Sequence, residues 1–132
     1  MLNGLNHITV AVSDVEKSLN FYSNILGLKP HVRWDNGAYL SLGSLWLCLS
    51  YDEARPSQDY THIALDVSEE NFQAVAKNLR EANVIEWKQN CSEGNSFYLL
   101  DPDGHKLEIH VGNLASRLES LKSKPYQGLV WL

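Results

Sequence analysis

Cysteine is scarce in this chain: Cys48 and Cys91 are the only two. They share no C-x-x-C spacing, which excludes a redox or zinc pair of that kind and fits a reducing compartment. Long apolar runs are missing as well. No segment approaches 18 consecutive apolar residues, so a membrane-spanning helix is not expected. The N-terminus enters a strand pattern directly, without the basic start, apolar stretch and cleavage site of a secretion signal. The expected address is the cytoplasm. Positive charge is in the minority, with 11 Lys and Arg against 16 Asp and Glu and a net charge of −5. That argues against nucleic acid, which demands a basic face, but leaves room for a small anionic ligand held by local Lys and Arg. What is present is 44% hydrophobic and 20% charged over 132 residues, enough for one folded unit with a real core.

The chain contains the same short phrase twice. N-H-I-T-V-A-V-S-D places His7 at its start and T-H-I-A-L-D-V-S-E places His62 there, 55 residues later. Each phrase is strand-like and then meets a Ser-acidic pair able to begin a helix. Module one, about 1–52, reads as a strand at Leu5–Val12 and a helix at Asp14–Leu26 capped by Ser13 or Asp14 and stopped by Gly27. Strands near Lys29–Trp34, Ala38–Leu42 and Leu45–Ser50 follow, with Asn36-Gly37 and Gly43-Ser44 as turns. Residues 51–59 form a polar loop. Module two, about 59–112, repeats the order: strand Tyr60–Val67, helix Glu69–Ala82, then strands near Val84–Lys88, Ser96–Leu100 and His105–Val111. D-P-D-G separates the last two. Residues 113–132 add a short helix near Leu114–Lys122 and an extended tail. The expectation is an α+β fold of two βαβββ modules in a single domain, 1–132.

A lone His in a strand is more often a hydrogen-bonded core residue than a ligand. Two at repeat-equivalent positions suggest two half-sites around one centre. Glu108, in H-K-L-E-I-H, alternates with Leu107 and Ile109 and so shares a strand face with Lys106 and His110. A carboxylate there is usually turned to solvent. Beside His7 and His62 it completes a two-His, one-carboxylate set that leaves coordination positions open for substrate. Such a set suits Lewis-acid or redox chemistry rather than a closed structural site, and by itself accepts Zn²⁺, Fe²⁺ or Mn²⁺. Thr9 shares the strand face of His7 and brings a hydroxyl to the same place.

With these residues in hand, the chain resembles the vicinal oxygen chelate superfamily, and within it the fosfomycin-resistance glutathione transferases. The resemblance runs through G-L-N-H at 4–7, R-W-D-N-G-A-Y-L-S-L-G-S-L-W-L-C-L-S at 33–50 and D-Y-T-H at 59–62. It continues in W-K-Q-N-C-S-E-G-N-S-F-Y at 87–98, L-D-P-D-G-H-K-L-E-I-H-V-G at 100–112 and S-R-L at 116–118. It implies Mn²⁺ on His7, His62 and Glu108, and K⁺ in the loop Asn90–Ser96 through Asn90, Ser92, Gly94 and Ser96. It implies a phosphonate held by Lys88, Ser92, Tyr98 and Arg117, with Thr9 near the epoxide oxygen. Trp34, Tyr39, Trp46 and Tyr60 resemble the aromatic lining, with Trp46 and Tyr60 toward the substrate. Trp34, Asn36 and Tyr39 fall on the glutathione side, Tyr39 nearest the thiol. Taken singly, Lys88 and Arg117 read as solvated charges, the loop as a surface turn and the aromatics as core. Two positions depart from the family: Cys91 stands where Arg is common and Asn36 where Gln is common.

The function implied is addition of glutathione to the epoxide of fosfomycin, with the thiolate of glutathione as nucleophile. The rival readings are an epoxide hydrolase of the same fold, a transferase using another small thiol, and a metal-free protein that sequesters the drug. A hydrolase needs a further carboxylate as base, for which Glu93 is the nearest candidate. Each module is a half-barrel with one concave face to cover. The resemblance implies a homodimer formed by exchange, each site taking His7 from one chain and His62 with Glu108 from the other.

Overall fold

Alternating apolar residues in the first strand commit one of its sides to the interior. In β1 (His7–Val12), Val10 and Val12 are buried while His7 and Thr9 occupy the other side. Asp14 caps α1 (Val15–Asn20), accepting from the Lys17 amide at 3.0 Å. The computed structural model describes residues 1–132. It continues through β2 (Lys29–Trp34), β3 (Gly37–Leu42) and β4 (Leu45–Tyr51). The second half holds β5 (Ile63–Asp66), α2 (Glu69–Glu81), β6 (Glu86–Lys88), β7 (Ser96–Leu100) and β8 (Lys106–His110), and α3 (Leu114–Ser123) closes the chain.

The two sheets have the same strand order, β1-β4-β3-β2 and β5-β8-β7-β6. In each, the first strand pairs parallel with the last and the remaining pairs are antiparallel. The architecture is α+β, and the expected βαβββ repeat is present in full. The apolar sides of both sheets and the inner stripes of α1 and α2 feed one core of 17 buried residues. Leu40, Leu99 and Leu107 lie at its heart, each contributing about 2 kcal/mol by leaving water. Because that core takes the apolar sides, the polar side of each sheet turns away from it.

Polar ties at one end of the strands fasten the modules together. The Tyr22 hydroxyl donates to Asp101 Oδ2 at 2.6 Å, His105 Nε2 donates to the Ala11 carbonyl at 2.7 Å, and the Ser13 amide donates to Asp103 at 3.2 Å. Burial, with Asp101 adding to it, pushes the Tyr22 phenol far above the ordinary tyrosine range, so it remains a donor. Asp101 Oδ1 also accepts from the Asp103 and His105 amides, at 2.9 Å each, which builds the D-P-D-G turn.

Several expected elements are shortened or altered. The first helix does not run uniformly to Leu26: it widens into a π-helix over Phe21–Ile25, with the Leu26 amide reaching back to the Phe21 carbonyl at 3.0 Å. The wider turn lets the consecutive residues Phe21 and Tyr22 both reach the core. The strand expected from Tyr60 begins at Ile63, because Asp59 accepts from the Thr61 amide and Tyr60 gives its carbonyl to His62. The strand expected from Val84 begins at Glu86, because the Val84 amide still closes the end of α2 on the Leu79 carbonyl. No helix is long and apolar enough to cross a membrane.

Candidate functional site

Strand register decides which side chains share a face. In the second sheet Ala64, Glu108 and Tyr98 are directly opposed across β5, β8 and β7, and Lys88 opposes Tyr98 from β6. Ser96 and His110 form the next row. The face thus gathers a carboxylate, a phenol, an ammonium, a hydroxyl and an imidazole, while Phe97, Leu99, Leu107 and Ile109 point the other way.

Glu108 is only 7% exposed, a place where a bare carboxylate is costly. Its Oε2 accepts from the Ser96 hydroxyl at 2.6 Å, and His110 Nδ1 meets Ser96 Oγ at 2.7 Å from the other side. Its Oε1 lies 3.0 Å from His62 Nε2. His62 Nδ1 is 2.7 Å from the Tyr60 carbonyl, which can only accept, so Nδ1 carries a hydrogen and the neutral ring presents its Nε2 lone pair. In that form the two lone-pair atoms suit a cation at their common front. Donors about 2.1 Å from a metal and at a right angle to each other lie about 3.0 Å apart. The pair therefore fits a divalent ion.

The neighbouring groups fit an anion. Lys88 Nζ donates to the Tyr60 hydroxyl and lies over the rings of Tyr60 and Tyr98, 4.4 and 5.0 Å from their centres. The bond to Tyr60 holds the Lys88 pKa above the ordinary lysine range. Burial, then the charge of Glu108, raises that of Tyr98. Both keep their protons at neutral pH, one as a cation and the other as a hydroxyl donor. The aromatic wall here includes a residue that sequence reasoning passed over. Trp87 packs edge-on against His62 at 5.6 Å and Tyr98 at 5.2 Å, and its Nε1 donates to the Leu107 carbonyl at 3.0 Å. Its neighbour Lys88 already claims the site face, and strict alternation would send Trp87 to the opposite one. A bulge between Glu86 and Lys88 breaks that alternation.

The first sheet carries the repeat-equivalent face. His7 opposes Trp46, and Thr9, Cys48 and Tyr39 form one row across β1, β4 and β3. A chain of rings runs over this face, His7 to Trp46 at 4.5 Å, Trp46 to Tyr39 at 5.3 Å and Tyr39 to Trp34 at 4.8 Å. Trp34 is 43% exposed and Tyr39 and Trp46 each 37%, so these aromatics line an open surface rather than the core. Asn36 sits in the turn beside them, its carbonyl accepting from the Tyr51 amide at 2.8 Å. Superimposing one row on the other makes Tyr39 the counterpart of Tyr98 and Cys48 the counterpart of Glu108. The duplicated scaffold holds a carboxylate in one copy only.

The three expected ligands are divided within one chain. His62 and Glu108 meet, whereas His7 remains on the other sheet with its Nδ1 2.7 Å from Asn6 Oδ1. No group of three or more His, Cys, Asp or Glu able to hold a metal comes together in the chain. The division follows from the packing, since both polar faces turn away from the common core.

The 90–96 loop folds on itself. Asn90 Nδ2 donates to the Gly94 carbonyl at 2.7 Å, and Asn90 Oδ1 accepts from the amide and hydroxyl of Ser92, both at 3.1 Å. Gly94 has φ +79°, and a Cβ there would collide with the Val111 carbonyl. Arg117 reaches the loop from α3, its Nε donating to Glu93 Oε2 at 3.1 Å and a terminal nitrogen to the Glu93 carbonyl at 3.2 Å. The bond to Glu93 raises the Arg117 pKa further above its ordinary value. The expected phosphonate cation is thus clamped to the loop, and Glu93, the nearest candidate for a hydrolytic base, is occupied by it.

The family model of the Glyoxalase/Bleomycin resistance protein/Dioxygenase superfamily matches residues 4–109. The chain is 58% identical to "Glutathione transferase FosA" of Serratia marcescens, over 99% of this chain and 96% of that protein. It is 39% identical to "Metallothiol transferase FosB" of Staphylococcus saprophyticus, over 96% of this chain and 89% of the relative. A mutant of the fosfomycin resistance protein FosX from Listeria monocytogenes has been crystallised with Mn(II) and 1S,2S-dihydroxypropylphosphonic acid. It superposes with a TM-score of 0.81 at 26% identity, covering 89% of this chain and 99% of that one.

Proposed function

Because this chain belongs to the Glyoxalase/Bleomycin resistance protein/Dioxygenase superfamily, we propose that its two polar faces are the halves of a glutathione transferase site that inactivates fosfomycin. The observation that carries this reading is the single face on which the paired His62 and Glu108 adjoin Lys88, Tyr98 and Ser96. Metal-facing donors beside a cation and hydroxyls suit a substrate with a phosphonate at one end and an epoxide oxygen at the other. The Mn(II) and phosphonic acid held by the FosX mutant support the same pairing.

His7, His62 and Glu108 would hold Mn²⁺, whose Lewis acidity lowers the cost of negative charge on the epoxide oxygen. Lys88, Tyr98, Ser92 and Arg117 bind and orient the phosphonate. Asn90, Ser92, Gly94 and Ser96 would hold K⁺ beside it. Tyr39 donates its hydroxyl hydrogen toward the glutathione sulfur and favours the thiolate. Trp34 and Asn36 border the approach of that thiol, and Trp46 and Tyr60 exclude water from the epoxide. The thiolate sulfur bonds to C1 of fosfomycin, and the C1–O bond breaks with its electron pair left on oxygen. Thr9 supplies a hydrogen bond to that oxygen, and a proton from solvent, matching the one the thiol gave up, completes the hydroxyl. Since one chain keeps His7 apart from His62 and Glu108, a complete site needs a second copy. The working form is a homodimer, with residues 1–132 of each chain acting as one unit in the cytoplasm, where glutathione is at hand.

The likeness to a metallothiol transferase favours a second reading, the same reaction with another small thiol. One experiment separates the possibilities. Protein, Mn²⁺, K⁺ and fosfomycin are incubated with glutathione, with cysteine or with no thiol, and the products are identified by mass. The glutathione adduct should dominate. A diol formed without thiol would move the assignment to a hydrolase, and unchanged fosfomycin in all three would remove the catalytic reading.

A further inference from the structure

The C-terminal segment beyond α3 reaches back to the 90–96 loop through one side chain. Asn113 and Ser116 cap α3 reciprocally, each amide donating to the other's side chain at 2.9 Å, and Leu121 is buried. Arg117 is therefore presented from a fixed helix. After Pro125 the chain turns, with the Leu129 amide donating to the Tyr126 carbonyl at 3.1 Å and Gly128 at φ +77°. This turn sets the Tyr126 hydroxyl 3.1 Å from a terminal nitrogen of Arg117. The other two guanidinium nitrogens go to Glu93. Tyr126 itself is 55% exposed, so its ring is not held for core packing. Between the loop and the tail lies a cavity of ≈ 550 Å³, bounded by Cys91, Ser92 and Glu93 on one side and Lys124 and Tyr126 on the other.

We propose that Tyr126 is a positioning residue: its hydroxyl fixes the plane of the Arg117 guanidinium, and through the Arg117–Glu93 clamp the C-terminal segment sets the conformation of the 90–96 loop. A planar fork that donates from three nitrogens can satisfy Glu93 twice only in one orientation. Tyr126 closes off the rotation that would swing it away. The loop carries Ser92 and the backbone around Gly94, so the tail governs how well the phosphonate end of the substrate is held. This consequence rests on the proposed function, whereas the mechanical link does not.

Two readouts on Tyr126→Phe test it in the full-length protein, with a thermal melt confirming that the variant is folded. The first is the rate at which iodoacetamide alkylates Cys91, which is exposed on the loop while Cys48 is buried. Loss of one hydrogen bond should speed it roughly three- to tenfold. The second is steady-state kinetics, in which KM for fosfomycin should rise by a similar factor while kcat and KM for glutathione stay within about twofold of wild type. Both changes together support the link. Faster alkylation with unchanged KM shows that the tail orders the loop but that the loop does not govern substrate binding, and overturns that half. A raised KM with unchanged alkylation places Tyr126 on the substrate and overturns the positioning role. No change in either overturns the whole. If wild-type protein consumes no fosfomycin, the functional reading fails by itself, and alkylation alone still decides the link.

Discussion

Glu108 shows how much one residue's meaning depends on its surroundings. Alternation with Leu107 and Ile109 already put it on the polar side of its strand, and the repeat of the His phrase made it worth pairing with His62. What alternation could not supply was its burial, or the Ser96 bond that holds its second oxygen with His110 bonded to Ser96 behind it. Those partners come from a neighbouring strand and from two residues along, and only register brings them together. Glu108→Gln keeps the volume and removes the charge. It should leave the fold intact and weaken Mn²⁺ binding by more than the roughly 10–100-fold that losing a ligand's supporting hydrogen bond costs. Metal titration followed by the paramagnetic signal of free Mn²⁺ checks this, and wild-type affinity would remove Glu108 from the ligand set. Trp87 is the opposite case, a site residue hidden from periodicity because a bulge overrides the alternation that periodicity assumes.

At the level of elements, the order of strands and helices was legible throughout, and the differences lie at their ends. Tyr60 and Val84 carry strand-forming residues yet stand outside their strands, since nearby turns and helix ends claim their backbone groups first. The π-helical turn at Phe21–Ile25 has no composition signal of its own; the demand of Tyr22 for Asp101 arises from the other module. The 90–96 loop was legible only through resemblance, but its geometry supplies a physical reason for Gly94. Gly94→Ala places a side chain at positive φ, at about 1–2 kcal/mol, and drives it into the Val111 carbonyl. The concentrations of K⁺ and fosfomycin needed for half-maximal rate should both rise roughly tenfold, with the melting temperature lowered by roughly 5–10 degrees. Kinetics over a K⁺ series test this, and an unaltered K⁺ dependence would detach the loop from the site.

For the whole molecule, the decisive feature is that one chain keeps His7 apart from His62 and Glu108, the three proposed ligands. The repeat predicted two half-sites, and the polar faces that carry His7 and His62 both turn away from the shared core. His7→Ala and Glu108→Ala should each be inactive alone. Unfolded and refolded together in equal amounts, they should recover about a quarter of wild-type activity, because random pairing makes half the dimers mixed and each mixed dimer has one intact site of two. Mixed dimers that form but stay inactive would return all three ligands to a single chain.

The unequal copies of the duplicated row have an electrostatic consequence. Two neutral imidazoles and one carboxylate around a divalent ion leave a net charge of +1 in the proposed centre. Had position 48 carried a carboxylate like its counterpart at 108, that sum would fall to zero. A small thiol side chain there, with the apolar character of a buried cysteine, keeps the surplus. In a protein whose overall charge is −5, that local excess draws a doubly negative phosphonate inward against the sign of the surrounding surface.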